Sequence, residues 1–462
     1  MTDTIWLPDL SQFAGPKYLA LFSALRAAVR GGELAQGARL PTVRDLAWRL
    51  GMTPGTVARA YQLATQEGLL SGEVGRGTFV AAREPVAVAP KPGFEPDAGL
   101  VDLRSPQLPD VGQAVEFAKA LRVLAGRVGP DWLDYPSQRA EAPLRAAVAR
   151  MLADRLMGPM EADDIALVNG GQNAIGLVLQ TCLKGDRPVV LLESLAYPGM
   201  RHAAALARAQ AFGIEMDQQG MRPDALMAAC KRHVPGVLCL TPQAQNPTAA
   251  CMSAERRAEI AGIARDFHLQ VIEDDCYSVA ETDLPTIRAL APDRTWYVGS
   301  LSKSVSAALR FGFIVCPVGR GEAGRLTAQH AFFALARPVS ELCLELLTSG
   351  VADRMRREVL AELGTRLQTV VNMLGAYDLS WQPGLPFVWL RLPKGWRAST
   401  FTRMAEAEGV LIRSADEYAL NHDHAPNAVR LAIAGAVPRP RFDAAVAGLA
   451  RLLARPPQEL SV

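Results

Sequence analysis

No apolar run in this 462-residue chain approaches the 18 or so residues of a bilayer-crossing helix, so no membrane span is expected. The start, MTDTIWLPDLSQF, lacks the positive region and apolar stretch of a secretory leader, and the protein is expected to be cytoplasmic. Paired thiols are missing too. The seven cysteines are odd in number, scattered and free of CxxC spacing, which argues against a disulfide framework or a zinc site. They read as buried free thiols. Histidine is scarce, at six, and His422 and His424 in NHDHAP have no further ligand cluster beside them, so no metal is expected. Net charge is small at +2, but residues 1–80 hold eight Lys/Arg against six Asp/Glu, so the whole excess lies in the front sixth. A positive front suits a nucleic-acid partner, because phosphate contacts need Lys or Arg.

That front is rich in helix punctuation. In PKYLALFSALRAAVRGG, Leu21, Leu25, Ala28 and Val29 share one helical face, and Gly31-Gly32 stops the run. In PTVRDLAWRLG, Thr42 is placed to cap, Leu46 and Leu50 point inward, and Gly51 ends the helix. In TPGTVARAYQLATQEG, Thr53 can cap, Pro54 suits the first helical position, and Val57, Ala60, Tyr61 and Ala64 form the inner face. A hairpin-like SGEVGRGTFV follows. Three helices and a hairpin describe a winged helix-turn-helix over residues 10–80. The third helix can enter a major groove and offers Thr53, Thr56 and Arg59. Arg44 can reach phosphate, and the tip Gly75-Arg76 can approach a minor groove. The series PKY, RLPTVRDLA, AY, EGLL and GRGTFV resembles the GntR-type winged helix. That resemblance implies double-stranded operator DNA as partner and places its contacts on Arg44, Thr53, Thr56 and Gly75, with Arg76 adjacent. One departure is Thr53-Pro54, where the family usually has Ser/Thr followed by Arg.

Residues 81–99 hold four prolines and read as an extended, semi-rigid linker. From 100 to 455 helical segments alternate with short apolar runs. DRPVVLLES, GVLCLTP, LQVIEDD and TWYVGSL are expected as buried strands of a mostly parallel sheet, an α/β architecture with its ligand beyond the strands' carboxyl ends.

Chemistry-bearing residues stand at those ends. Lys303, in SLSKS, can form an imine with an aldehyde cofactor where its pKa is lowered. Ser300 and Arg310 offer phosphate donors. Asp274 is placed to pair with a protonated pyridine nitrogen. Asn246 and Tyr277 can hydrogen-bond a ring hydroxyl. Gly170-Gly171-Gln172, before a helix expected near Asn173, can hold phosphate on backbone N–H groups, and Tyr197 offers a stacking face. Singly each signal is weak; the order GGQ, AYPG, QNPT, EDDCY, SLSKS carries the argument.

That order resembles the fold-type I aminotransferases, with a smaller C-terminal α/β subdomain. The resemblance implies pyridoxal 5'-phosphate, with Lys303 as its covalent partner. It adds Tyr135, which reaches the phosphate of the other subunit, and Arg430, which clamps a substrate carboxylate. Gly171 stands where the family commonly has Ser or Thr. As a whole the chain resembles the MocR-type regulators, in which a GntR-type reader is joined to an aminotransferase-like module. This implies a head-to-tail homodimer and a regulator sensing an amine or amino acid effector, rather than an enzyme, although the residues for half a transamination are present. Two alternatives stay open: a sensor of pyridoxal phosphate itself, and a working aminotransferase with an accessory DNA-binding domain.

Overall fold

Thr42 accepts a hydrogen bond from the Asp45 amide at 3.2 Å and starts the helix Val43–Arg49. Gly51, at φ +60°, ends that turn where a side chain would be strained. Thr53 caps the next helix, Pro54–Gln66, through the Thr56 amide. With Lys17–Arg30 in front, these helices enclose a small core of Leu21, Leu25, Leu46, Val57, Ala60 and Ala64. The strands Leu70–Glu73 and Gly77–Val80 close it as an antiparallel hairpin, Leu70 opposite Val80.

In this computed structural model the chain divides into two units, Met1–Glu95 and Pro96–Val462. It describes residues 6–455 apart from 14, 32, 36, 67–68, 74–76, 82–98, 278–279, 421–424 and 434. Gly75 and Arg76, most of the proline-rich linker, and His422 and His424 lie outside the described residues.

The second unit is built on a seven-stranded sheet. From edge to edge its strands are Ile165–Val168, Gly312–Val315, Thr295–Ser300, Gln270–Asp274, Val237–Leu240, Val189–Glu193 and Gln210–Ile214. All run parallel except Gly312–Val315, which is antiparallel to both neighbours. Each of the four apolar runs singled out in the sequence supplies one of these strands. Their residues are apolar on both faces because helices cover both sides. The strands Gln270–Asp274 and Thr295–Ser300 end side by side, which brings the EDD and SLSKS motifs together. All seven cysteines are free.

A second, antiparallel sheet follows in the order Asp378–Ser380, Phe387–Arg391, Ala428–Ala432, Arg413–Ser414. Val388, Leu390, Val429 and Leu431 pack on the helices Val351–Leu374, Ala398–Ala407 and Arg439–Ala454. Side chains alternate across a strand, so Phe387 and Arg430 fall on the opposite face, which closes over Asn246 and Tyr277. Among the described residues no helix is long and apolar enough to cross a membrane.

Candidate functional site

Lys303 follows the strand Thr295–Ser300 in a tight turn and donates from Nζ to the Pro106 carbonyl at 2.9 Å. Its Nζ lies 5.4 Å from the centre of the Tyr277 ring. Burial brings its pKa down to about 8, and the positive charges of Arg430 and Arg310 act in the same direction. A buried lysine with depressed basicity is a nucleophile at neutral pH.

Asp274 ends its strand 8% exposed and accepts the Cys276 amide at 3.0 Å. Burial pushes its carboxyl above the usual range, and the hydrogen bonds from Cys276 oppose that rise. No cation among the described residues pairs with it. The next carboxylate, Asp275, is engaged elsewhere: it accepts the Tyr297 hydroxyl at 2.6 Å and lies 3.6 Å from Arg155.

Gly170 stands at φ +82° ahead of the helix Gly171–Cys182, which begins two residues earlier than the expected Asn173. A Cβ on Gly170 would lie 2.9 Å from the Arg310 guanidinium, so the glycine opens a cradle against that arginine. Backbone N–H groups at a helix start beside a guanidinium suit a phosphate. Ser300 stands opposite Gly312 in the sheet, and Gly312 lies directly against Gly170. Gln172 donates to the Gly199 carbonyl at 2.9 Å, at the start of the Tyr197 helix, and its Oε1 is buried without a partner. Burial raises the Tyr197 and Tyr277 hydroxyl pKa values, so both stay protonated donors.

Arg430 is 4% exposed, donates to Asn246 Oδ1 at 2.8 Å and also hydrogen-bonds the Arg104 carbonyl. Its Nε and Asn246 Nδ2 are buried with no partner. No carboxylate among the described residues pairs with this guanidinium. A buried cation lacking an anion is costly.

Nine sequence-predicted residues besides Lys303 thus gather around it: Gly170, Gly171, Gln172, Tyr197, Asn246, Asp274, Tyr277, Ser300 and Arg310, with Arg430 near enough for its charge to act on Lys303. Tyr135 stands apart, 82% exposed and stacked on Phe333 at 5.4 Å. The unpartnered Asn246 amide, the glycine cradle and the cation-free Asp274 fit pyridoxal phosphate, whose phosphate the helix start would hold, its ring nitrogen Asp274 and its ring oxygen Asn246 and Tyr277. Sequence reasoning missed the carbonyls of Arg104 and Pro106 and the thiol of Cys276.

In the front unit Arg44 and Thr53 are exposed, and the Thr53 and Thr56 hydroxyls are 2.9 Å apart. Arg59 is exposed but lies over the Tyr18 ring, 4.2 Å from its centre, which restrains it. Trp48, one turn after Arg44 on the same helix face, is 83% exposed and was not anticipated.

Two family descriptions match. Residues 100–448 match aminotransferase class I and II, and residues 17–80 match the bacterial regulatory proteins of the gntR family. An HTH-type transcriptional regulator of Bacillus subtilis, YdeF, is 30% identical, covering 93% of this chain and 92% of that protein. The HTH-type pyridoxine biosynthesis transcriptional regulator PdxR of Corynebacterium glutamicum is 26% identical over 76% of this chain and 77% of its own. Among solved structures, the α-aminoadipate aminotransferase LysN of Thermus thermophilus, complexed with N-(5'-phosphopyridoxyl)-L-leucine, is 27% identical. Its TM-score is 0.67, over 77% of this chain and 92% of that one.

Proposed function

The chain belongs to the MocR-type transcriptional regulators, a gntR-family reader joined to a class I and II aminotransferase domain, and on that premise we propose that it senses an amino acid through pyridoxal phosphate. The observation that carries this reading is the buried Arg430 guanidinium, unmatched by any carboxylate among the described residues and near enough to lower the pKa of Lys303.

Pyridoxal phosphate, when bound, supplies an aldehyde that an amine can capture and a ring that withdraws electrons. The chain does the rest. Lys303 would hold the cofactor's aldehyde carbon, its proton balance set by burial and two arginines. Asp274 keeps a proton on the ring nitrogen, Asn246 and Tyr277 hold the ring oxygen, and the Gly170–Gln172 turn with Ser300 and Arg310 anchors the phosphate. Arg430 and Asn246 take the effector's carboxylate. Cofactor and reader occupy one cytoplasmic chain, and the exposed Tyr135 suits the contribution of a neighbouring subunit in a head-to-tail homodimer.

A ligand switches a protein only by binding two arrangements with different affinity. The test is therefore the affinity of the cofactor-loaded protein for double-stranded DNA that it selects from a random pool, with and without each of the common amino acids. A change of fivefold or so with one amino acid, absent in Lys303→Ala, supports the reading. DNA affinity that follows cofactor occupancy and ignores every amine favours a cofactor sensor, and steady turnover with an amino acid and a keto acid favours an enzyme.

A further inference from the structure

Two glycines begin the phosphate-binding turn, and only one of them is demanded by the backbone. Gly170 has φ +82°, a conformation that side-chain-bearing residues rarely adopt. Gly171 has no positive φ and is the first residue of an ordinary helix. The aminotransferase resemblance puts a Ser or Thr there. What forbids one is Cys276: a Cβ on Gly171 would lie 2.5 Å from its Sγ, and the next atom, a Val298 methyl, is 3.8 Å away. The missing side chain therefore leaves no hole, because the thiol fills the space.

The thiol also makes polar contacts. The Asp274 carboxylate and the Ser300 hydroxyl both lie close enough to the thiol to shift its pKa. Since Cys276 is withdrawn from water beside Asp274 and Asp275, its own pKa is pushed well above the ordinary value, so sulfur carries its proton at neutral pH. A protonated thiol there can donate to Asp274 and accept from Ser300. The Cys276 backbone N–H donates to Asp274 Oδ1 as well, at 3.0 Å. One residue thus brings a backbone donor and a protonated thiol to the carboxylate assigned to the ring nitrogen, with its sulfur beside Ser300.

We propose that Cys276 is a positioning residue of the cofactor site, its thiol taking the place of the hydroxyl side chain absent at Gly171 and tying the phosphate cup to Asp274. Hydrogen bonds to an ionised group are the stronger kind, and a donor aimed at Asp274 keeps it charged against burial. The geometry makes Gly171 and Cys276 a reciprocal pair, in which either residue can bear the polar side chain but not both. This inference rests on the pyridoxal phosphate reading of the site.

The experiment is equilibrium titration of the full chain with pyridoxal phosphate, read by visible absorbance and tryptophan fluorescence, with far-UV circular dichroism to confirm folding. Binding by the unaltered chain tests the parent reading; the variants test this one. Cys276→Ala is expected to weaken cofactor binding by about tenfold or more, and Cys276→Ser, which restores a donor, to stay within about threefold of the unaltered chain. Gly171→Ser alone is expected to weaken binding by more than about tenfold, and Gly171→Ser with Cys276→Ala to bind better than either single variant. Cys276→Ala binding like the unaltered chain, Cys276→Ser performing no better than Cys276→Ala, or losses that multiply in the double variant would each overturn the proposal.

Discussion

Lys303 and Arg430 act on different parts of a ligand and can be tested apart. The Lys303 amine must be neutral to attack, and its pKa is lowered to about 8 by burial and by Arg430 and Arg310. The rate of cofactor uptake should therefore rise with pH through about 8 and level off above it, as stopped-flow absorbance would record. A rate still climbing steeply near pH 10, where an ordinary lysine titrates, would contradict the assigned environment. Lys303→Ala should remove the visible absorbance of the cofactor-loaded protein, and an unchanged band would remove Lys303 from its role. Arg430→Ala should weaken binding of an amino acid by about tenfold or more while changing a simple amine of the same size by less than about threefold. Equal losses for the two would count against the carboxylate assignment. At this scale the sequence was most legible where a polar side chain stands at the end of a strand or shortly beyond it, as with Asp274, Lys303 and Asn246. It was silent on the Pro106 and Arg104 carbonyls, which hold Lys303 and Arg430. Every residue carries a carbonyl, so nothing in a motif marks the one that a distant side chain will find.

Among elements, those with strong punctuation were read closely. Thr42 and Thr53 both cap the helices expected of them, and Gly51 turns the chain between. The four apolar runs became neighbouring strands because runs apolar on both faces can be buried only in the middle of a covered sheet. The helix after GGQ was placed two residues late, since Gly170 at positive φ, rather than Gln172, marks the turn. Gly171 read as a departure in the sequence because its partner, Cys276, is more than a hundred residues away. In the reader, Arg44 is exposed on the second helix, whereas Arg59 leans on Tyr18. Arg44→Ala should weaken binding to random-sequence and selected DNA alike and lower the slope of log affinity against log salt by about 1. A loss confined to the selected sequence would make Arg44 a base contact instead.

At the scale of the molecule, each of the two units has its own core, one around Leu21, Leu25 and Leu46 and the other spread over the seven-stranded sheet. A ligand stabilises only the state that binds it. Saturating pyridoxal phosphate should therefore raise the unfolding temperature of the larger unit and leave the reader's unchanged, as two transitions in differential scanning calorimetry. A single transition moving as one would contradict independent cores. The proposed assembly, by contrast, rests on resemblance, because the exposed Tyr135 is one residue among many on a surface.

The central claim is that Lys303 and its surroundings make this a cofactor-loaded sensor of amino acids. It is tested most directly by the absorbance spectrum of the purified protein with pyridoxal phosphate, repeated with a panel of amines and amino acids. The account predicts a visible band that depends on Lys303 and shifts with an amino acid far more readily than with the amine lacking its carboxylate. No band, or a band that no amine moves, would contradict it.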